Sequence, residues 1–419
     1  MKNSGIEWVG EIPAHWEVMS NKHLMQKQKI ICPIYKGQAI LSLTMKGVIE
    51  RDLDAGGKMP SSFDGYQYVK RGNLLLCLFD IDVTPRCAGL ILKDGVTSPA
   101  YSQYIMRQKA YAPFYSYYYV MVDNTKELLH MAKNLRHSLN EEQFGAIKAP
   151  VPPISEQKAI AEFLDKKCGE VDALIADIQQ EIETLEQYKR SVITEAVTKG
   201  LDPSVPMKDS GIDWLGMQPN QWEHYKGKYI FEQRNERGNQ IELQLLSPTQ
   251  NYGVIPQTMY EEFSGMNAVK LNERVNLNIL KTIHKGDYCI SLRSFQGGFE
   301  YSQYEGVVSP AYQVFYPTRA ICEEYYKYLF KEKSFIAVMN SYTLSLRDGK
   351  NIAFSDFGNT MIPYPPIEEQ QQIADYLDKK CKEIEEIIAD KQSQIETLES
   401  YKKSLIYEYV TGKKEIIAQ

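Results

Sequence analysis

The side chains that could catalyse a reaction do not form the patterns that known chemistry requires. The two Pro-Pro pairs, in VPPI (151–154) and YPPI (364–367), lack the preceding Asn or Asp of an amino-methyltransferase loop. A metal-dependent nuclease needs carboxylates that hold the ion, and the one suggestive triplet, residues 156–158, has no Pro-Asp dipeptide before it. The six histidines form no HxH or HxxxH pair, and no GxGxxG or Walker loop occurs. We therefore expect no catalytic residue, no metal and no cofactor.

Polar and aromatic side chains that could contact a nucleic acid are concentrated in three stretches. These are FYSYYYVMV (114–122), SLRSFQGGFEYSQY (291–304) and NSYTLSLRDGK (340–350), which we predict to lie in turns. Tyr, Arg, Ser and Gln side chains hydrogen-bond base edges and phosphates, and aromatic rings add stacking. The competing interpretation is that the clustered tyrosines are half-buried and only pack. The candidates for DNA contact from these stretches are Tyr117, Tyr118, Arg293, Ser294, Gln296 and Tyr342.

Two long segments are the elements that must position these stretches. Aligned without a gap from Pro152 and Pro365, they are identical at 29 of 49 positions. Apolar residues in the first segment are spaced alternately four and three apart, which predicts a helix with one heptad packing stripe, and the second segment keeps the register. The stripe includes Lys189 in the first segment and Lys391 and Lys402 in the second.

The ends of the two predicted helices are marked by residues that favour helix boundaries. Each follows a Pro-Pro pair, Ser155 is the expected N-cap of the first helix, and Gly200 and Gly412 are expected to end the helices. About 45 helical residues would form a rod roughly 65 Å long. Each rod needs a partner for its apolar stripe, and the other rod is the obvious one, so we expect an antiparallel intramolecular coiled coil.

A second repeat opens each half of the chain. SGIEWVGEIPAHWE (4–17) and SGIDWLGMQPNQWE (210–223) contain all four tryptophans of the protein. Glycine and proline between two large apolar anchors favour a tight turn, so we expect the tryptophans to pack the start of each half. Contact with a partner is the alternative role.

Between these repeats lie two globular segments with matching landmarks. RGNLLLCLFD (71–80) corresponds to KGDYCISLRS (285–294), and GVTSPAY (95–101) corresponds to GVVSPAY (306–312). Short β-branched and apolar runs suggest strands, and YYKYLFKEKSFIAVM is predicted to be helical. We predict an α+β fold of two mixed α/β domains joined by two long antiparallel helices with pseudo-two-fold order. The expected boundaries are 1–150, 151–200, 201–364 and 365–413.

Composition indicates how charge is distributed along the chain, the state of the cysteines and the cellular location of the protein. The 419 residues carry a net charge of −6, and the two helical segments together hold −8, so the remainder is about +2. The seven cysteines never form CxxC and are expected to be reduced and buried. With no apolar run that could span a bilayer and no signal-peptide pattern at the start, we expect a cytoplasmic protein without a membrane partner.

Together these motifs resemble the specificity subunit of type I restriction-modification enzymes. The tryptophan phrase, the Gly-led β-run, the Ser-Pro-Ala-Tyr element and the Pro-Pro helix start carry the resemblance, which spans nearly the whole chain. It implies that each globular segment is a target recognition domain for one half of a split double-stranded DNA sequence. It further implies that the helices act as a ruler and dock two methyltransferase subunits, and that restriction subunits join the complex.

The resemblance adds three arginines to the DNA-contact candidates. Arg136 and Arg347 match the arginine that the family carries ahead of each long helix. The first half departs from the second where CLFDIDVTPRCAG stands in place of SLRSFQGG, so Arg86 is either the counterpart of Arg293 or has none. A different function, a coiled-coil scaffold whose globular ends bind proteins, is compatible with the same helices.

Overall fold

A computed structural model of the chain describes residues 1–54, 60–84, 86–132, 137–238, 243–250, 252–265, 279–291, 298–342 and 352–416. The chain forms two compact units. Unit 1 contains residues 1–179 and 392–419, and unit 2 contains residues 180–391. Each unit therefore combines one globular segment with part of both long helices. The predicted division into separate domains and helices remains a prediction at its finer boundaries.

The globular part of unit 1 alternates short strands with a few helices. Its helices are α1 Asn21–Leu24, α2 Ala112–Asn124 and α3 Glu141–Ala146, with a 3-10 turn at Glu127–Met131. Its strands are β1 Lys2–Asn3, β2 Glu11–Ile12, β3 Glu17–Ser20, β4 Met25–Gln28, β5 Leu41–Thr44, β6 Gly47–Glu50, β7 Gln67–Val69, β8 Leu74–Leu76, β9 Ala88–Leu90, β10 Gly95–Thr97, β11 Ser102–Met106 and β12 Lys148–Val151.

The first long helix, α4 (Ile154–Lys199), leads into the globular part of unit 2, and the second, α9 (Ile367–Val410), follows it. The shorter helices between them are α5 Gln257–Ser264, α6 Glu323–Leu329, α7 Lys333–Ser341 and α8 Phe354–Asn359, with a 3-10 turn at Gly227–Tyr229. The strands are β13 Met207–Asp209, β14 Met217–Pro219, β15 Glu223–Lys226, β16 Phe231–Gln233, β17 Leu246–Thr249, β18 Gly253–Pro256, β19 Lys281–Ile283, β20 Tyr288–Ile290, β21 Phe299–Tyr301, β22 Gly306–Val308, β23 Gln313–Pro317 and β24 Met361–Tyr364.

Each unit is built around its own four-stranded antiparallel sheet, and the two sheets have the same topology. The strand order is β4-β11-β8-β9 in unit 1 and β16-β23-β20-β21 in unit 2. The Gly-led runs supply β8 and β20, and the strand after Ser-Pro-Ala-Tyr supplies β11 and β23. The mixed α/β prediction is confirmed, because matching sequence landmarks occupy matching strands.

Glycine opens both Ser-Pro-Ala-Tyr elements because the backbone of a neighbouring segment lies against it. A Cβ on Gly95 would collide with the carbonyl oxygen of Ala39, and one on Gly306 would collide with that of Gln244. The following residues form parallel bridges at these points, Val96 to Ile40 and Val307 to Leu245. Any side chain would push the two segments apart.

The stretch FYSYYYVMV, predicted to lie in a turn, is instead most of helix α2. Its rings at Phe114, Tyr115, Tyr118 and Tyr119 are fully buried in the core of unit 1. These rings recur three and four residues apart, which is the spacing of one helix face. The predicted helical stretch of unit 2 is confirmed as α6 and α7.

Within each unit the long helices pair in opposite directions. In unit 1, Phe163 stacks on Tyr409 with ring centroids 4.4 Å apart, and Asp172 pairs with Lys402 at 2.6 Å. In unit 2, Glu181 pairs with Lys391 and Lys189 with Glu385. A step forward on α4 is matched by a step backward on α9, so the antiparallel coiled coil is confirmed.

The three lysines of the packing stripe are thus explained by ion pairs rather than by apolar contact. The pairs of Lys189 and Lys402 are equivalent, because Glu385 and Asp172 occupy the same position of the repeated segment. Helix α4 begins at Ile154, so Ser155 lies in the first turn and the expected N-cap there is wrong.

Glycine ends both long helices in a left-handed conformation against the tryptophan phrase. Gly200 and Gly412 have φ of 78° and 71°. A Cβ on Gly412 would collide with Pro13 and come within 2.9 Å of Trp16, and one on Gly200 would lie 3.5 Å from Trp222. Only glycine combines this backbone conformation with so close an approach.

The tryptophans pack as expected. Trp16 is 2% exposed and Trp222 is fully buried, while Trp8 and Trp214 are partly buried against the cores of units 1 and 2. All seven cysteines are buried and free, as predicted. Among the described residues, no helix has both the length and the apolar character needed to cross a bilayer.

Candidate nucleic-acid interface

The nine candidate DNA-contact residues divide into those the structure describes and those it does not. Arg136, Arg293, Ser294, Gln296 and Arg347 lie outside the described residues, so their DNA-contact role stays a prediction. The four described candidates are Arg86, Tyr117, Tyr118 and Tyr342.

Arg86 is held inside unit 1. Its side chain is 13% exposed; Nη1 donates to Oδ1 of Asn124 at 2.9 Å and lies 3.5 Å from the buried carboxylate of Asp123. That carboxylate also accepts from the Cys87 backbone N–H at 3.0 Å and from Lys126 Nζ at 2.9 Å. Arg86 therefore neutralises a buried carboxylate, which favours a packing role.

Strand register also separates Arg86 from Arg293. Leu74 and Tyr288 occupy the same place in the two central sheets, since each pairs with the matching residue of β11 or β23. Position 293 corresponds to residue 79 when counted forward from these strands and to residue 82 when counted back from β9 and β21, and in neither case to Arg86. Of the two alternatives for Arg86, the register favours the one in which it has no counterpart.

Tyr117 and Tyr118 lie side by side on α2 but face different surroundings. Tyr118 is fully buried, and its hydroxyl accepts a hydrogen bond from Trp8 Nε1 at 3.3 Å. Tyr117 donates to Oδ1 of Asp165 on α4 at 2.7 Å, and burial followed by this hydrogen bond raises the pKa of Tyr117. Unit 2 repeats the contact, where Tyr328 donates to Asp378 at 2.6 Å. A contact present in both units favours docking of the globular part on the long helix.

Tyr342 is the described candidate whose ring is open to solvent. It follows the last residue of α7, and 41% of its surface is exposed. Its hydroxyl lies 3.3 Å from Oγ1 of Thr360. An exposed tyrosine is compatible with stacking or groove contact, and the DNA-contact role of Tyr342 stays a prediction.

Two buried glutamines, one in each unit, connect the globular part to the start of its long helix. Sequence reasoning missed both. Gln157 Nε2 donates to the carbonyls of Lys109 and Pro152, both at 2.8 Å, and its Oε1 accepts from the Tyr111 N–H at 2.8 Å. Gln370 does the same in unit 2, donating to the Pro365 carbonyl and accepting from the Cys322 N–H. The repeated Glu-Gln after the Pro-Pro pair was the available signal.

The glutamate of that pair reaches the tryptophan phrase in unit 1. Trp16 Nε1 donates to Oε2 of Glu156 at 2.8 Å, and His15 Nε2 lies 2.8 Å from Oε1. In unit 2, Trp222 Nε1 has no hydrogen-bond partner among the described residues. The hydrogen bond to the helix start is thus a feature of unit 1, whereas the packing of the phrase against the glycine that ends a long helix occurs in both units.

The two units hold the same sheet corner with different chemistry. In unit 1 the corner is neutral: Oε1 of Gln103 accepts from Asn73 Nδ2 at 3.0 Å and from the Lys70 N–H at 2.8 Å. In unit 2 the corner is charged. Arg234 donates two hydrogen bonds, of 2.7 and 3.0 Å, to the carboxylate of Asp287, and its guanidinium group stacks on the ring of Tyr316.

His284 extends this charged corner. Its ring nitrogens each lie 2.9 Å from a carboxylate, of Glu236 and of Glu305, and the Glu236 hydrogen bond is the main cause that raises the pKa of His284. The scaffold is thus repeated, while the polar groups that it presents have diverged.

Comparison with known proteins decides the family. A sequence model of the type I restriction modification DNA specificity domain matches residues 97–184 and 219–397, which is more than half of the chain. The chain belongs to the type I restriction-modification specificity family. It is a DNA-recognising, non-catalytic specificity subunit, and the scaffold alternative is not favoured.

Two specificity subunits from one archaeon are similar to this chain, one over nearly its whole length and one over about two thirds of it. The putative type I restriction enzyme MjaX specificity subunit of Methanocaldococcus jannaschii is 25% identical over 439 residues, covering 97% of this chain and 95% of the relative. The MjaVIII specificity subunit of the same organism is 28% identical over 64% of this chain and 63% of the relative.

Solved structures share the fold. A chain reported with the complex assembly and conformational transition of the type I R-M system aligns with a TM-score of 0.68 at 12% identity, covering 96% of this chain and all of that one. The HsdS subunit from Thermoanaerobacter tengcongensis aligns with a TM-score of 0.50 at 14% identity, covering 96% of this chain and 98% of that one.

Proposed function

We propose that this specificity subunit reads a split DNA target, with one globular part for each half-site. The observation that carries the proposal is the duplicated sheet in a single chain, in which landmarks are kept and the polar groups differ. A repeated scaffold presents two surfaces of similar shape. Different side chains on each surface give it a preference for its own DNA sequence. In this proposal the exposed ring of Tyr342 is a contact in the second half-site.

We also propose that methyltransferase subunits dock on the coiled coil, one on each unit. Counting heptads with Cys168 and Cys381 at position a, the four most exposed large apolar residues of the two helices, among the described residues, fall at position g. These are Leu174 and Tyr401 in unit 1 and Tyr188 and Ile387 in unit 2, each 45–51% exposed. In an antiparallel pair the two g positions flank the same side, so each unit presents one apolar patch.

The matching of the two patches supports two copies of one partner rather than two different partners. Leu174 corresponds to Ile387 and Tyr188 to Tyr401 in the repeated segment. Restriction subunits would join the complex through the same core. Catalysis by these partners would then be directed to the DNA that the globular parts select.

The test of the proposed function is methylation mapping in a host that carries this chain and its methyltransferase subunit. We expect a split motif of a few defined bases, a gap, and further defined bases, and we expect it to vanish when this chain alone is deleted. A continuous motif, or methylation that survives the deletion, would contradict the proposal.

A further inference from the structure

A cleft of about 300 Å³ opens at one end of the central sheet of unit 1. It lies between β4, β11, the segment that follows β8 and the residues that precede α3. Its lining combines hydrogen-bond donors with an aromatic ring and one carboxylate. The lining includes Lys27, Phe79, Ser102, Tyr104, Asn140 and Glu141.

Tyr104 contributes a hydroxyl that the fold does not use. The side chain is 3% exposed, its ring packs against Phe144 with centroids 5.2 Å apart, and its hydroxyl has no hydrogen-bond partner among the described residues. A buried hydroxyl without a partner is unfavourable. The matching position of unit 2 is Phe315, which fills the same place in the sheet without a hydroxyl. Packing alone would therefore be served by phenylalanine.

Lys27 brings a positive charge to the same cleft. It stands directly opposite Tyr104 on the neighbouring strand, and its Nζ lies 3.6 Å from Oε2 of Glu141, a side chain that is 65% exposed. Its counterpart in unit 2 is Gln233, which hydrogen-bonds Gln313. The pairing of lysine with an unpartnered tyrosine hydroxyl is thus a feature of unit 1.

Asn140 adds a further donor. Its Oδ1 already accepts from the Gln143 N–H at 2.8 Å in the cap of α3, so its amide NH₂ is the group left for a ligand. Lys, Tyr, Ser and Asn side chains are the usual partners of DNA phosphate oxygens. The exposed carboxylate of Glu141 would have to leave Lys27 when an anion enters.

We propose that this cleft binds a backbone phosphate, with its sugar, of the DNA half-site read by unit 1. The inference rests on the proposed DNA recognition and adds to it a phosphate seat present in one unit only. Tyr104 and Lys27 donate to the phosphate oxygens, and Phe79 and the apolar wall face the sugar. The contact positions the DNA without reading its sequence.

The experiment uses the full chain in complex with its methyltransferase subunit, on DNA containing the mapped target. Tyr104→Phe should weaken DNA binding about tenfold, as expected for a hydrogen bond to a charged group. The same variant should melt no lower than the parent, since it removes a buried hydroxyl without a partner. Lys27→Gln, which copies unit 2, should weaken binding and reduce the magnitude of the negative slope of log affinity against log salt by about one.

Two further variants make the sign of the effect testable. Glu141→Gln should strengthen DNA binding, because it removes the carboxylate that competes with phosphate for Lys27. Lys382→Gln, an exposed lysine on α9 paired with Glu386, should leave affinity unchanged.

Three results would decide the matter. Unchanged affinity in both Tyr104→Phe and Lys27→Gln would overturn the phosphate seat. Altered base preference in the half-site would also overturn it, since a base rather than a phosphate would then occupy the cleft. If the parent complex fails to bind any DNA, the proposed function itself is wrong, which is a separate outcome.

Discussion

At the scale of single residues, Glu300 shows how the core of unit 2 sets a pH dependence. It lies in β21 with 2% of its surface exposed, Lys331 Nζ is 2.6 Å from Oε1, and Oε2 has no partner among the described residues. Burial raises the pKa of Glu300 to about 7, although Lys331 opposes the shift. The carboxyl group is therefore easier to bury protonated than ionised.

This pKa predicts a stability that falls as pH rises. Between the ordinary value of 4.5 and about 7, the folded state holds the proton more tightly than the unfolded state. The free energy of unfolding should therefore decrease across that window by up to ~3 kcal/mol. Glu300→Gln cannot ionise, so it should lose this dependence and be more stable than the parent above about pH 7.

Urea unfolding at several pH values checks this expectation. Glu50→Gln, an exposed carboxylate paired with Lys93, is the control and should keep the slope of the parent. Since His284 also titrates, the comparison is the difference between each variant and the parent. An equal slope in Glu300→Gln and the parent would show that Glu300 stays ionised throughout.

At the scale of elements, the long helices carry two separate faces. The packing stripe buries residues such as Leu164, Cys168, Leu377 and Cys381. The patch residues of each unit lie at position g, beside the packing stripe, and are exposed to solvent. Large apolar side chains held in water on an otherwise charged helix favour a partner surface over a solvated one.

The docking proposal for this face is tested by a double substitution. Tyr188→Ser with Tyr401→Ser removes the ring from both patches without touching the packing stripe, so the chain should fold and melt as before. We expect the methyltransferase subunit to lose co-purification with this variant. Tyr407→Ser, an exposed tyrosine at position f of α9, is the matched control and should retain it.

If the methyltransferase subunit still co-purifies with both the double variant and Tyr407→Ser, the partner surface lies elsewhere on the chain. The same loss in Tyr407→Ser would show that the whole helix exterior is used. Either result leaves the DNA proposal intact.

At the scale of the whole molecule, the coiled coil is proposed as the ruler between half-sites. Removing residues 176–182 and 389–395 deletes one heptad at equivalent positions of both helices, so the packing stripe stays in register. Seven helical residues correspond to ~10 Å, or about three base pairs of DNA. Methylation mapping of this variant should find the gap shortened and both half-sites unchanged. A changed half-site with an unchanged gap would contradict the ruler.

The sequence by itself determined the repeated architecture. Heptad spacing is a property of neighbours three and four residues apart, so the helices and their stripe could be predicted without a structure. The glycines that end α4 and α9 and the Gly-led strands follow from local backbone preferences. The family resemblance rested on the same local motifs.

Only the tertiary structure decided what individual polar side chains do. Tyr117 was a candidate by residue type and Arg86 by its possible match with Arg293, but Asp165 and Asp123, which hold them, lie elsewhere in the chain. The spacing of the α2 tyrosines is a local signal for a buried helix face, whereas their polarity favours an exposed turn. Whether a tyrosine hydroxyl finds a partner among the described residues, as Tyr118 does, or finds none there, as with Tyr104, depends on which distant segments the fold brings together. Local sequence patterns do not indicate which distant residues come into contact, so the roles of these polar side chains could be assigned only from the tertiary structure.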